Sequence, residues 1–302
     1  SAASDVYKRQ GYHYNDTTLK GFSHTHLSGT GCIDLGDILF RPTTLKPDLT
    51  TESIYQPAAF SHKDEDASAG YYSVVLKEEG IKAELTVTAH AGMHRYTFSS
   101  GKEASIIIDL THLLDNEYIY EAELEQTAAN EITGMRRTRG WTDNQYVYFV
   151  AQFSKPFQAI DFIQNKKMVS AGVKLNGTDL QACLSFDNSN GEPVIAKVGL
   201  SIVSEKNARE NLETEVIGFD FDAVRSAARS AWEQALSAIT VKGGNTDDLK
   251  NFYTAMYHSM VVPNVVSDVN GEYRRHNMEI GQLPKGLSLI HISEPTRLRR
   301  IS

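Results

Sequence analysis

Two histidines separated by one residue, inside a glycine-rich segment, have the most evident capacity for chemistry in this sequence. The segment is Gly21-Phe-Ser-His-Thr-His-Leu-Ser-Gly-Thr-Gly31. In a strand, side chains at i and i+2 share a face, so His24 and His26 would project together. Imidazoles beside a backbone loosened by glycine suit an uncharged, hydrogen-bonding ligand of sugar size. They suit a metal less well, because two ligands do not close a site. The alternative is that both rings are hydrogen-bonded within a turn.

The elements that would position this segment are predicted to be strands. Between residues 33 and about 217, β-branched and aromatic residues recur in short, partly alternating runs. Glycine-containing turn signals separate these runs at hairpin-like spacing. This pattern favours a large antiparallel β-sandwich over a parallel sheet with crossover helices. The runs are 71–76, 83–89, 94–98, 105–110, 145–153 and 195–203.

The pattern changes near Gly218, from a period of two residues to a period of 3.6. An apolar stripe predicts a helix at about 222–240, with Asp220 or Asp222 as its N-cap. A second stripe predicts a helix at about 246–261. Its apolar face consists of Leu249, Phe252, Tyr253, Met256 and Met260. The predicted fold class is therefore mainly β, a large antiparallel β-sandwich followed by two α-helices.

The amino-acid composition limits the classes of molecule that this chain is expected to bind. The chain has 302 residues, is 41% hydrophobic and carries a formal net charge of −8. An acidic chain without clustered Lys and Arg argues against nucleic acid as a partner. No apolar run approaches the roughly 18 residues of a transmembrane helix, so no membrane span is predicted. Cys32 and Cys183 could form one bridge, but two cysteines do not make a disulfide framework, and buried thiols are expected.

Further motifs accompany the His-Thr-His segment in order along the chain. They are Gly11-Tyr-His-Tyr14, Asp34-Leu-Gly-Asp-Ile-Leu39, Pro57-Ala-Ala-Phe-Ser-His62, Gly70-Tyr-Tyr-Ser-Val74, Gly80-Ile-Lys-Ala-Glu-Leu-Thr86, His94-Arg-Tyr-Thr-Phe98, Phe153-Ser-Lys-Pro-Phe157 and Phe252-Tyr-Thr-Ala-Met-Tyr-His-Ser-Met260. This series resembles glycoside hydrolase family 92, the exo-acting α-mannosidases, over nearly all of residues 11 to 286. A single motif would be weak evidence, whereas the ordered series is specific.

The resemblance implies a glycosidase that acts on mannose-containing glycans, with a sandwich like that of sugar mutarotases followed by an (α/α)6 barrel. It implies inverting, calcium-dependent chemistry and a periplasmic or secreted location. Inversion needs two carboxyl groups about 6.5–9.5 Å apart, and in the family these groups and the main calcium ligands belong to the barrel. We therefore assign no catalytic residue and no metal ligand here. His24, Thr25 and His26 are the predicted substrate-binding residues, on a rim of a shared active site.

The resemblance also suggests a division of the chain. Residues 1–10 and 287–302 resemble translated sequencing-library adapters and are excluded from the fold. We expect a sandwich domain at 11–219, a linker helix at 220–244 and the start of a helical catalytic domain at 245–286. The chain is thus expected to be a fragment that is inactive by itself, with the missing C-terminal catalytic domain as its partner.

Three other features have a simpler explanation than chemistry. Asp34 and Asp37, at i and i+3, are expected to be a local turn or strand-edge device. The sequence Asp268-Val-Asn-Gly271 lacks the twelve-residue pattern and the closing Glu of a calcium loop, and its Asn-Gly pair is expected to form a tight hairpin between apolar strands. Trp141 could stack on a sugar, but a single tryptophan is more often a core residue.

Two other classes of protein compete with the glycosidase. One is a stand-alone carbohydrate-binding sandwich without catalysis, and the other is a structural or adhesive β-domain. The two helices after Gly218 discriminate, because a finished binding module has no need of them and a two-domain enzyme does.

Overall fold

The computed structural model describes residues 14–26, 34–44, 57–114, 118–169, 174–261 and 264–284. Its strands in chain order are β1 (Thr18–Leu19), β2 (Leu39–Thr43), β3 (Ala58–Ala59), β4 (Glu65–Ser68), β5 (Tyr71–Leu76), β6 (Ile81–Val87), β7 (Ala91–Thr97), β8 (Ala104–Asp109), β9 (Tyr118–Ala128), β10 (Glu131–Arg139), β11 (Gln145–Phe153), β12 (Ala159–Gln164), β13 (Lys167–Val169), β14 (Leu175–Gly177), β15 (Leu180–Phe186), β16 (Val194–Ser201), β17 (Glu272–Arg274) and β18 (Ile280–Gln282). The end segments interpreted as adapters, and Cys32, lie outside the described residues.

Two antiparallel sheets make up the sandwich. The larger has nine strands in the order β14-β9-β10-β11-β16-β7-β6-β5-β4, and the smaller has five in the order β13-β12-β15-β8-β2. Hairpins join most neighbours in the larger sheet, as between β5 and β6 or β10 and β11. Two short pairs, β1 with β3 and β17 with β18, lie outside these sheets. The predicted antiparallel β-sandwich is confirmed.

The core lies between the two sheets, and alternation along the strands produces it. On β6, Ile81 and Ala83 are fully buried while Lys82 is exposed, as a period of two residues requires. Large side chains from both sheets meet in this layer, among them Phe40, Tyr96, Phe149, Phe153 and Phe162, each fully buried. Cys183, on β15, is also buried.

Helix α1 (Glu205–Glu215) was not predicted and lies where strands were expected to continue. It packs on the outer face of the nine-stranded sheet, over β16 and β11. A Cβ at Gly199 would lie 2.3 Å from the carbonyl oxygen of Ala208, so the close approach needs glycine. Two of the four buried residues of α1 are Asn207 and Asn211. Because amides occupy the inward face, the helix shows no apolar stripe in the sequence.

The two predicted helices are present as α2 (Phe221–Leu236) and α3 (Thr246–Met260). The Asp220 side chain accepts a hydrogen bond from the amide of Ala223 and caps α2. Asn245 and Asp248 form a reciprocal capping box at the start of α3. No residue of α3 is buried, so its apolar face is only partly covered here. No described helix is long and apolar enough to cross a membrane.

Candidate functional site

One end of the sandwich brings the candidate residues together. The β6–β7 turn, the end of β16 and the turn between β10 and β11 all lie at this end, because neighbouring strands are antiparallel. The His-Thr-His segment reaches the same end. Phe22 pairs with Phe40 and His26 pairs with Leu35 as isolated bridges, rather than in a continuous strand.

A cavity of about 300 Å³ opens at this end. Its walls come from five parts of the chain: the His-Thr-His segment, the β6–β7 hairpin, strand β11, the end of β16 and the segment that follows α3. Among the lining residues are His24, Thr25, Thr88, His90, Gly92, Val147, Ser201, Val265, Val266 and Asp268. We call residues 264–268 the wall segment. The cavity therefore lies where the sandwich meets the region after the helices.

His24 has both ring nitrogens engaged by the protein. Nδ1 donates to the carbonyl oxygen of Ile38 at 2.7 Å, and Nε2 lies 2.9 Å from Nε2 of His94. His94 is in turn 2.7 Å from the Tyr96 hydroxyl. Burial lowers the pKa of His24 to about 4 and that of His94 well below its usual value. Two neutral rings fit this chain, with His94 donating to His24 and accepting from Tyr96.

Thr25 is held just as firmly. Its hydroxyl donates to Asp37 Oδ2 at 2.7 Å and accepts from the amide of Asp37 at 2.8 Å. The other carboxylate oxygen of Asp37 accepts from Nε of Arg136 at 2.8 Å, and both of these charged side chains are fully buried. Asp37, which was expected to belong to a local turn or strand-edge device, therefore anchors Thr25 in the cavity wall.

The backbone around Asp37 adopts unusual conformations. Leu35 has φ +71° and Ile38 has φ +56°, in the left-handed region that β-branched residues rarely enter. Such a conformation costs on the order of 1–3 kcal/mol and persists only where surrounding contacts impose it. At Ile38 the imposing contact is the hydrogen bond from His24 to its carbonyl oxygen.

His26 and Trp141 flank a second anchor, Asp34. His26 is exposed and pairs with Leu35, whose amide donates to Asp34 Oδ1 at 3.0 Å. The amide of Trp141 donates to Asp34 Oδ2 at 3.3 Å, and the indole is 66% exposed. Trp141 is therefore not the core residue that the sequence favoured. His24 and Thr25 line the cavity, whereas His26 is exposed and is not among the lining residues.

His90 joins three parts of the chain at the cavity. Its Nδ1 is 2.5 Å from Glu215 Oε1, at the end of α1, and its Nε2 is 2.7 Å from the carbonyl oxygen of Ser267. Its backbone amide also donates to Glu215 Oε2 at 2.9 Å. Both ring nitrogens face acceptors, so only the protonated imidazolium satisfies both. Although burial opposes the charge, Glu215 and the Ser267 carbonyl raise the pKa of His90 above its usual value.

Asp268 fastens the wall segment to the sandwich and α1. One carboxylate oxygen accepts from the Ser201 hydroxyl at 2.7 Å and the Asn207 amide at 2.8 Å, and the other from the Asn211 amide at 2.7 Å. The amide of Gly271 donates to the carbonyl of residue 268 and forms a tight turn, but strand β17 pairs with β18 and not across this turn, so the expected hairpin is not formed here. Because amide and hydroxyl donors occupy this carboxylate, it is not arranged as a cation ligand.

Among the residues that the structure describes, no three or more His, Cys, Asp or Glu side chains are grouped so that they could hold a metal ion. Asp268 is the one acidic residue among the described residues that line the cavity. These described lining residues therefore contain no inverting pair of carboxyl groups.

Sequence reasoning missed His90 and His94. His90 lies in a hairpin turn, and its partner Glu215 is 125 positions away. His94 lies within a strand, and its partner His24 is 70 positions away. The spacing of residues along the sequence therefore does not indicate that either pair of side chains lies close together. The one available hint was that His94 begins the motif His94-Arg-Tyr-Thr-Phe98 and that His90 lies four residues before it.

The matches to known families place the chain in the class of glycoside hydrolases. Residues 2–201 match the family model described as the glycosyl hydrolase family 92 N-terminal domain, and residues 207–289 match the family 92 catalytic domain. The chain belongs to glycoside hydrolase family 92.

Solved structures and a curated relative agree with this assignment. A family 92 α-mannosidase from Bacteroides thetaiotaomicron, also solved with mannoimidazole, is 35% identical with a TM-score of 0.86, over 93% of this chain and 39% of that one. An inverting mannosidase from the same species shares the fold at 22% identity and a TM-score of 0.79, over 90% and 36%. A secreted glycosidase of Arthroderma benhamiae is 30% identical over 87% of this chain. The chain spans 37% of that relative's length.

Proposed function

We propose that this chain is the N-terminal part of an α-mannosidase that acts on mannose-containing glycans. In this proposal, the cavity at the sandwich end forms one wall and part of the rim of the active site. The observation that carries the proposal is the composition of that cavity. Its lining residues come both from the region that matches the N-terminal family model and from the region that matches the catalytic one.

We further propose that His24, Thr25 and His26 contribute the substrate-facing edge of this wall. The polar atoms of His24 and the hydroxyl of Thr25 are already hydrogen-bonded within the protein. Their contribution to binding is therefore the shape of a rigid, preorganised surface and the ring edge of His24, while exposed His26 is the member free to meet a sugar hydroxyl. A fixed wall positions a sugar at a low entropic cost.

The chain alone is proposed to be inactive. The cavity lining holds one acidic residue, Asp268, whose oxygens are occupied by three side-chain donors. A general acid contributes about 10²–10⁴-fold to such a reaction. We assign the acid, the base and the calcium site of an inverting mechanism to the part of the enzyme that corresponds to the remaining length of the relatives.

The proposed location is periplasmic or secreted. The support is the name of the Arthroderma benhamiae relative, a secreted glycosidase, together with a substrate class, glycans, that is found outside cells.

The activity test measures mannose released from α-linked mannobioses by the purified chain, with calcium or with a chelator. The 35%-identical Bacteroides α-mannosidase serves as the positive control. We expect no release above the buffer rate. Calcium-dependent turnover near that of the control would place the catalytic carboxyls within this chain and overturn the division of roles.

A second test probes the cavity directly. A Cβ at Gly92 would lie 3.4 Å from the His24 ring and 3.6 Å from that of His94, which is ordinary contact, so Gly92→Ala should be tolerated. Gly92→Leu projects a larger side chain into the cavity. We expect α-mannobiose binding, measured by calorimetry, to fall roughly tenfold or more for leucine and little for alanine. Equal affinity of both variants would show that the sugar does not enter this cavity, and would favour a binding module that uses another surface.

A further inference from the structure

Trp141 combines a fixed backbone with an exposed ring. It lies in the turn between β10 and β11, at the same end of the sandwich as the cavity, but it is not among the cavity-lining residues. Trp141 is 66% exposed, so most of its surface is accessible to a ligand.

Asp34 holds this turn in place. The carboxylate of Asp34 is buried, and its oxygens accept from the amides of Leu35 and Trp141. A Cβ at Gly140 would lie 2.0 Å from Asp34 Oδ1, so only glycine permits the approach. A buried carboxylate committed to two backbone amides fixes the position from which the indole projects.

Exposed groups that suit a sugar lie near Trp141 along the chain or across the sheet. Tyr118 is 60% exposed and pairs across the sheet with Arg139, two residues before Trp141. Nε of Arg139 is 3.4 Å from Asp143 Oδ1 in an exposed ion pair that spans the turn. Exposed His26 pairs with Leu35, the residue that follows Asp34. Aromatic faces bind the C–H surface of a pyranose, while a guanidinium and a carboxylate bind vicinal hydroxyls.

We infer that Trp141 is a stacking platform for an uncharged hexose, forming a second sugar contact outside the cavity. The net charge of −8 disfavours a phosphate-bearing ligand at this surface. The inference rests on the proposed function for the kind of sugar. Its natural occupant is a glycan residue other than the one that enters the cavity.

The chain has two tryptophans, so fluorescence can isolate the platform. The other, Trp232, contacts Tyr257 between helices α2 and α3. In the Trp232→Phe variant of the full chain, all indole emission comes from Trp141. We expect red-shifted emission without sugar and a saturable blue shift on titration with α-mannobiose or α-mannotriose. In the matched Trp141→Phe variant, emission from Trp232 should not respond.

Affinity then tests the contact itself. Trp141→Ala should weaken mannotriose binding, measured by calorimetry, by roughly tenfold, while Trp141→Tyr should restore much of it, since a stacking face remains. The melting temperature should hardly change in either variant, because the ring is exposed. Unchanged affinity in Trp141→Ala, or no fluorescence response while Gly92→Leu still abolishes binding, would overturn the platform and leave the proposed function standing. A blue shift that depends on protein concentration instead of sugar would assign the surface to self-association.

Discussion

His90 provides the sharpest test of how the cavity is built, because three separate parts of the chain meet at its imidazolium. His90 and Glu215 are 14% and 16% exposed, so solvent screens their charges only partly. His90→Ala removes the donors to Glu215 and to the Ser267 carbonyl. The carboxylate keeps the Thr88 hydroxyl at 2.5 Å and the amide of residue 90.

The size of the effect follows from these contacts. Loss of one partner of a buried ion pair costs about 3–5 kcal/mol when the remaining charge has no other partner. Here two donors remain on Glu215, so we expect His90→Ala to cost about 1–3 kcal/mol, close to the loss of hydrogen bonds to a charged group. For a chain of this length that corresponds to a fall in melting temperature of roughly 2–6 °C.

The dependence on pH has a defined sign. The pKa of His90 is raised in the folded state, so its contribution is complete below its ordinary pKa of about 6.5 and is lost as pH rises through the folded value. The hydrogen bonds from His90 and Thr88 lower the pKa of Glu215 against its burial, so its contribution is complete above about 4.5 and is lost as pH falls through the folded value. The pair should therefore stabilise the fold most between about pH 4.5 and 6.5.

Thermal denaturation of the full chain from pH 5 to 9 measures this contribution. Glu215→Gln keeps an acceptor but removes the charge that holds the His90 proton, so the alkaline loss of stability should shrink. His276→Gln is the matched control, since that histidine is exposed, and it should leave the profile unchanged. If the parent chain and Glu215→Gln lose stability in parallel between pH 6.5 and 8.5, His90 is not charged in the folded protein and the account of the wall segment fails.

Two further predictions concern the anchors of the His-Thr-His segment. Burial lowers the pKa values of His24 and His94 in the folded protein. Their contribution to stability is therefore complete above pH ~6.5 and is lost as pH falls toward the folded values, about 4 for His24. In the same denaturation series, His94→Gln should reduce the loss of stability on the acid side. Arg136→Met should cost about 3–5 kcal/mol by chemical denaturation because the fully buried Asp37 loses its counter-charge and keeps neutral donors such as the Thr25 hydroxyl, with no solvent to screen it, whereas Arg136→Met with Asp37→Leu should cost less than that single change. Equal losses for the single and double variants would show that the pair contributes through packing and not through charge.

Sequence periodicity predicted the sheets and two of the helices, because a strand or helix with one buried face has a regular pattern of apolar residues along its own sequence. The alternation of buried and exposed residues at Ile81, Lys82 and Ala83 on β6 is an example. Helix α1 escaped prediction because Asn207 and Asn211 face inward to bind Asp268, a contact about 60 positions away. When polar residues form part of the buried face of an element, they bond to partners that are distant in the sequence. Local periodicity therefore does not predict such an element.

The side chains of the candidate site also differ in what local sequence and what tertiary contacts determine. The His-Thr-His spacing drew attention to residues of which two, His24 and Thr25, line the cavity, but it suggested two rings on one strand face with polar atoms available to a ligand. The structure engages the nitrogens of His24 and the hydroxyl of Thr25 with Ile38, His94 and Asp37. Which polar atoms remain available depends on tertiary contacts, which residue types and spacing do not contain, so the substrate-binding role of these residues stays a prediction.

These internal hydrogen bonds bear on why the segment is polar at all. Replacing a buried ion pair with apolar residues is often neutral or stabilising, so Asp37 and Arg136 are poorly explained by stability alone. Their arrangement does fix Thr25 and, through a strained Ile38, the ring of His24 at the cavity. A strained conformation held by costly buried charges is expected where atomic positions matter more than free energy of folding. The polar anchors therefore support the proposal that this end of the sandwich is a preorganised binding wall.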